Sequence, residues 1–244
     1  CELLGKQGIA IEEVLQNTGL TEHQIKQPEF RFSPEQYETL AGNAKRCSGD
    51  PAIGLKLGVQ LQLSSHGFLG FAALSSATAR DAIEMAVKYV KTRTLLASLN
   101  FLIEGDTAVI QVKRLAASQK SFPFVVENIL PSFITIGRFL TGETELQAEL
   151  DFSFPAPEYA DLYGQLLNCK VRFNQPVSQI RVPLAVLQTP LASANVQSAQ
   201  AALNECDKIL AIANTGNNLA LRIHHQFELN NDIATLEQMA SQLN

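Results

Sequence analysis

"SLNFLIEGDTAVIQVKRL", residues 98–115, is where the chain changes period. Two runs of alternating apolar and polar residues flank Gly105-Asp106, a pair suited to a tight hairpin turn. Upstream, apolar residues recur at helical spacing; here they recur at every second position. The stretch predicts two antiparallel strands, and the remainder of the fold is read outward from it.

Downstream, "PFVVENILPSFITIGRFLTG" (123–142) is apolar nearly all round, which predicts a central buried helix over 122–141, bent at Pro131. "ELQAELDFSF" (145–154) gives the clearest strand, with Leu146, Ala148, Leu150, Phe152 and Phe154 facing one way. Glu145, Gln147, Glu149, Asp151 and Ser153 face the other, so one side is buried and one is wet. A short helix over 157–168 follows, with Tyr159, Leu162, Tyr163 and Leu166 inward. Strands near 170–174 and 178–186 complete the unit, Pro183 pointing to an edge or irregular strand. The order is ββαβαββ.

Upstream, the chain reads as short helices with explicit stops. Ile11, Val14 and Leu15 share a face before Gly19. Thr21 with Gln24, and Ser33 with Gln36, form capping boxes, and Pro34 takes the first helical position. Tyr37, Leu40, Ala41 and Ala44 make a buried stripe. Asp50 before Pro51 is expected to cap the next helix. An apolar helix from Gly67 breaks at Ser75 and Ser76. The next is capped by Thr78 and Asp81, with Ala82, Ile83, Ala86, Val87 and Val90 as its core face. After 194, "ANVQSAQAALNECDKILAIANTG" is a long amphipathic helix, and "NNLALRIHHQFELNN" another. The class is α+β: an N-terminal helical segment, a mostly antiparallel sheet packed with helices, then C-terminal helices.

The last residues, "DIATLEQMASQLN" (232–244), place Leu236, Met239, Ala240 and Leu243 on one helical stripe. Asp232 and Thr235 suit the helix start, and Asn244 suits a left-handed turn residue. This is the scaffold half of a helix-turn-helix, with no second helix behind it. The opening "CELLGKQG" likewise reads as a helix already under way, so the sequence is expected to belong to a longer chain.

With 244 residues, 46% hydrophobic and 18% charged, there is ample material for a core. The net charge of -5, with no basic run beyond two residues, argues against phosphate binding by this stretch itself. The four cysteines form no CxxC pair, which points to free thiols in a reducing, cytoplasmic setting rather than disulfides or zinc. No apolar run of about 18 residues is seen that would mark a membrane span. Nucleophile elbow, HExxH, phosphate loop and dinucleotide fingerprint are all missing, so no enzyme, metal or cofactor is indicated. His224 and Glu228, four apart, have no third ligand beside them.

Four residues stand out as candidates for holding a small-molecule effector. His66 precedes a helix start, where it either contacts a ligand or makes a local hydrogen bond. Glu127 and Arg138 are charges on the nearly all-apolar helix, and each needs a partner, a ligand or an exposed edge. Arg80 lies in "SSATARD" (75–81), a helix break and cap whose hydroxyls could also line a pocket.

"GDPAIGLKLG" (49–58) and "HGFLGFAALSSATARDAIEMAVKYV" (66–90) resemble the N-terminal sensor domain of AraC-family transcription regulators, in the arabinose-binding-domain-like branch that includes ornithine-utilisation regulators. "LDFSFPAPEYADLYGQLLNCKVRFNQPVSQIRVPLAVLQTPL" (150–191) is similar to the later half of that domain. The resemblance implies an effector-sensing domain over 1–191, helical over 1–95 and α+β over 96–191. A linker or dimerisation helix over 192–216 and the opening of a DNA-binding domain over 217–244 would follow. It also implies a homodimer that binds DNA through a part not present here and answers to a small molecule of unknown identity. The alternative is a small-molecule-binding or protein-interaction module with no DNA role.

Overall fold

The computed structural model describes residues 2–26, 30, 32–115 and 120–215. The expectations for 217–244, including the stripe of Leu236, Met239, Ala240 and Leu243, lie outside the described residues.

The N-terminal part is a set of short helices: α1 (Glu2–Lys6), α2 (Ile11–Leu15), α3 (Glu22–Ile25), α4 (Pro34–Ser48) and α5 (Ile53–Gln60). Both capping boxes form: Thr21 and Ser33 each accept from the backbone three residues on, and Gln24 and Gln36 reach back to the cap. Asp50 does not cap α5 directly. Its Oδ1 accepts from Ala52 N at 2.9 Å and its Oδ2 from Lys56 Nζ at 2.6 Å, and the helix begins two residues later than expected, at Ile53. Pro51 and Ala52 are spent on the turn.

A 3-10 turn (Leu63–His66) leads into α6 (Gly67–Leu74), and Thr78 with Asp81 opens α7 (Ala79–Tyr89). The hairpin then forms as β1 (Ala97–Glu104) and β2 (Thr107–Arg114), with Gly105 at φ 58, a conformation cheap only without a Cβ. After them come α8 (Phe122–Thr141), β3 (Glu149–Asp151), α9 (Ala160–Leu167), β4 (Lys170–Arg172), β5 (Ser178–Pro183) and α10 (Val196–Thr215).

The sheet order is β1-β2-β5-β3-β4, with β3 and β4 parallel and the other neighbours antiparallel. Two expectations need correction. The alternation over 145–154 holds for burial except at Asp151, expected on the wet side but 3% exposed beneath Arg172 and Gln179, and only Glu149–Asp151 pair as a strand. Nor does β5 lie at an edge; it is the central strand. Its pairing with β3 covers only residues 179–181, so Pro183, the last strand residue, needs no ladder donor on that side.

The inner face of the sheet carries Leu99, Ile110, Leu150, Phe152 and Ile180 into the main core, together with Val126, Leu130 and Ile134 of α8 and Tyr163 and Leu167 of α9. On α9, Leu167 takes the inward place expected of Leu166, which is 37% exposed. The outer face is polar. Asn100 Nδ2 donates to Gln111, Gln111 Nε2 to Gln179, and Gln179 Nε2 to Asp151, which Arg172 also holds at 2.7 Å. That ladder crosses all five strands.

Helix α8 passes under this core, and α5 lies against it. The helix has the length expected from the sequence, 122–141, but against the expectation of no apolar run of that size it is long and apolar enough, by length and composition, to cross a membrane, with a mean hydropathy of 1.2 over 18 residues. Here it is the core helix.

Candidate functional site

Between the inner sheet face and helices α6, α7 and α8 lies a cavity of about 450 Å³. Its floor is Leu99, Ile110, Ile180 and Val182; Val125, Ile129 and Phe133 of α8 form one wall. Ala82, Ile83 and Ala86 of α7 form another. Residues expected to be plain core, Ile83 and Ala86, are thus only half-buried because they face an empty volume. A space of this size with an apolar lining is what a small-molecule site requires.

The polar lining is sparse. On α8, Asn128 Nδ2 donates to the Phe124 carbonyl, Ser132 Oγ to that of Ile129 and Thr141 Oγ1 to that of Gly137, each within its own helix. His66 and Arg93 stand together at one end. The 3-10 turn places His66 just before α6, and its buried Nε2 has no hydrogen-bond partner. Arg93 Nη2 donates to the Ser65 carbonyl at 2.9 Å, leaving its other donors for the cavity mouth. Burial and then the Arg93 charge push the His66 imidazole down to about 4, so it is neutral at neutral pH. The end of the cavity therefore offers one cation, that of Arg93. None of the lining residues is Asp, Glu or Lys.

Of the four residues singled out in the sequence, only His66 reaches this cavity. Arg80 sits on the outer side of α7, pairs with Glu84 at 3.2 Å and lies 5.8 Å from the Phe101 ring. Arg138 Nη2 donates to the carbonyls of Leu167 (2.6 Å) and Asn168 (3.3 Å), closing the C-terminal end of α9 where Asn168 takes the left-handed conformation. Glu127 points to the far side of α8. Nothing in "VKTRT" around Arg93 marks it in the sequence, since it follows the last periodic residue of α7 and precedes β1.

Glu127 is 1% exposed, and its Oε1 accepts from the hydroxyls of Tyr159 (2.6 Å) and Tyr163 (2.5 Å). Its Oε2 has no partner and rests against Gly54. Burial raises its pKa, and the two tyrosine hydrogen bonds only partly oppose this. A folded-state pKa above the unfolded one means that stability from this group is present below about 4.3 and is lost as pH rises through the folded value. Glu127→Gln keeps an oxygen for both tyrosines and cannot ionise. Its stability relative to the parent is expected to rise as the pH climbs past about 4.3 and to level off once the folded-state Glu127 has ionised, in denaturant melts; parallel curves would contradict this.

Helix α10 stands one side chain away from the cavity. Asn195 Oδ1 accepts from Ser198 N to cap that helix, and Ala199, Ala202 and Cys206 form its buried stripe. Leu69 of α6 lines the cavity and packs with Tyr89 and Cys206. Tyr89 donates to Asp207 at 2.7 Å, and the Arg93 charge is felt at Cys206. One side chain of α6 thus touches both the empty volume and the cluster that holds α10.

Residues 8–191 match the family described as the arabinose-binding domain of AraC transcription regulators, N-terminal. The ornithine utilization regulator of Pseudomonas aeruginosa is 27% identical over 243 residues, 99% of this chain and 72% of that protein. Two uncharacterized HTH-type transcriptional regulators, from Mycobacterium bovis and Mycobacterium tuberculosis, are 20% identical over 216 residues, 86% of this chain and 62% of each of theirs. The crystal structure of the transcriptional regulator CdpR from Pseudomonas aeruginosa shares the fold, with a TM-score of 0.58 at 21% identity over 86% of this chain and 67% of that one. These similar proteins are transcriptional regulators, not enzymes.

Proposed function

This chain belongs to the family of N-terminal, arabinose-binding-type domains of AraC transcription regulators, and from that premise we propose that its cavity is the effector site of a DNA-binding regulator. The observation that carries the reading is the apolar cavity with Leu69 as a wall shared with α10. In this reading residues 1–191 sense the effector, 192–216 link and pair two copies, and 217–244 open the DNA-binding part. His66 contacts the effector; Arg80, Glu127 and Arg138 hold the scaffold.

An effector changes regulation only if it binds one arrangement of the chain better than another. Here the two arrangements differ in how α6 presses on α10. An occupant of the cavity bears on Leu69 and, through it, on Tyr89 and Cys206. A coupling of about 1–3 kcal/mol would change DNA affinity by roughly 5- to 150-fold.

The name of the Pseudomonas relative points to ornithine, but a diamino acid would bring two ammonium groups to a lining without a carboxylate. The effector is therefore expected to be a different compound.

Native mass spectrometry of the regulator containing this chain is expected to show a dimer with a retained small molecule. That molecule should be lost when Ala86→Phe fills the cavity, and DNA affinity should move within the range above. A molecule retained by Ala86→Phe, or a DNA affinity indifferent to its removal, would refute the reading.

A further inference from the structure

Resting on that reading of the cavity, we infer that its ligand is an elongated apolar molecule with a single anionic head, a monocarboxylate whose carboxylate sits between Arg93 and His66. The lining decides each part of this description. Apolar side chains surround the body of the cavity, and the polar groups along α8 already donate to their own helix. The His66–Arg93 end is where a buried imidazole nitrogen without a partner meets a cation, whose guanidinium has donors beyond the one given to Ser65. A wholly apolar ligand would leave that nitrogen unpaired, a neutral polar one could pair it but would leave the Arg93 charge unbalanced, and a cationic one would meet Arg93 with no carboxylate to balance it. A dianion would meet one positive charge only, since the imidazole is neutral.

Size sets the chain. A methylene fills about the ~30 Å³ of a liquid water, so a body of about ten carbons occupies roughly two thirds of the space. The head would lie beside Arg93, whose charge is felt at Cys206 of α10, so the anion is bound at the end of the cavity nearest α10.

The test is calorimetric titration of the chain with decanoate, octanoate, decanol, decylamine and ornithine. Decanoate is expected to bind at least tenfold more tightly than decanol, with no binding of decylamine or ornithine. Each methylene removed should weaken binding about fourfold. Arg93→Gln should bring decanoate to the level of decanol, and Ala86→Phe or Ile129→Trp should abolish binding of both. Decanol equal to decanoate, decanoate unaffected by Arg93→Gln, or no probe binding would overturn the monocarboxylate assignment. If decanol binding is still blocked by the two filling variants, the cavity remains the effector site. Decanoate binding that survives both filling variants in a folded chain would overturn the site itself.

Discussion

Gly58→Ala is expected to lower the stability of the chain by about 3 kcal/mol, at the upper end of what overpacking costs, and its Tm by roughly 6–12 °C. The reason lies in the contact between α5 and α8. Gly54 and Gly58 are one helical turn apart on the face of α5 that meets α8, and both are buried. A Cβ at 58 would overlap the Glu127 carbonyl oxygen and stand 3.0 Å from Asn128 Cα. These are backbone atoms of the core helix and cannot swing aside. That carbonyl is also the one that faces Pro131, which has no N–H to offer it. Thr135 Oγ1 donates to the Val59 carbonyl at 3.2 Å from the next turn of α8, and a displaced α5 would lose that bond as well. Gly42 is the control. It lies within α4, and a Cβ there would meet nothing within 4 Å, so Gly42→Ala should raise stability by up to about 1 kcal/mol. Thermal melts of the two variants moving in the same direction would refute the close-approach account.

Phe152→Ala is expected to cost about 4 kcal/mol, a large part of the 5–15 kcal/mol that typically holds a domain together. Phe152 is fully buried, with ring centroids 5.0 Å from Tyr163, 5.1 Å from Phe154 and 5.5 Å from Phe173. Its backbone is tied to the end of β4 and the chain beyond it, donating to the Arg172 carbonyl at 2.8 Å and accepting from Gln175 N at 3.0 Å. Truncation opens a cavity at the point where β3, β4 and α9 meet, and β3 has only three paired residues to resist the strain. Phe152→Leu, which keeps most of the volume, should cost less than half as much. A chemical denaturation midpoint unchanged in Phe152→Ala would show that the aromatic cluster does not close this end of the sheet.

Features built from neighbouring residues were legible in the sequence. The three capping boxes, the Gly105-Asp106 turn and the helix break at Ser75 and Ser76 each depend on residues within a few positions of one another. The alternation at 145–154 gave the buried face correctly apart from Asp151 and overstated the pairing, because pairing depends on partner strands elsewhere in the chain. At the candidate site the same division holds. His66 could be singled out by its place before a helix, whereas Arg93 meets it only through a fold that brings a post-helix segment back over the 3-10 turn. Glu127 was legible as a charge in need of partners. That the partners are Tyr159 and Tyr163, 32 and 36 residues away, follows from α9 crossing α8 and from no local pattern.

The polar ladder across the outer sheet face bears on how the domain could deform. A slip of one residue at any of these strands would turn its member of the set Asn100, Gln111, Gln179 and Asp151 into the core and break that residue's hydrogen bonds to its neighbours. Leu99, Ile110 and Ile180 on the reverse side are thereby fixed in place, so the bottom of the cavity behaves as an anvil. Any yielding of the cavity wall is therefore expected at the opposing helices α6 and α7 instead of at the sheet.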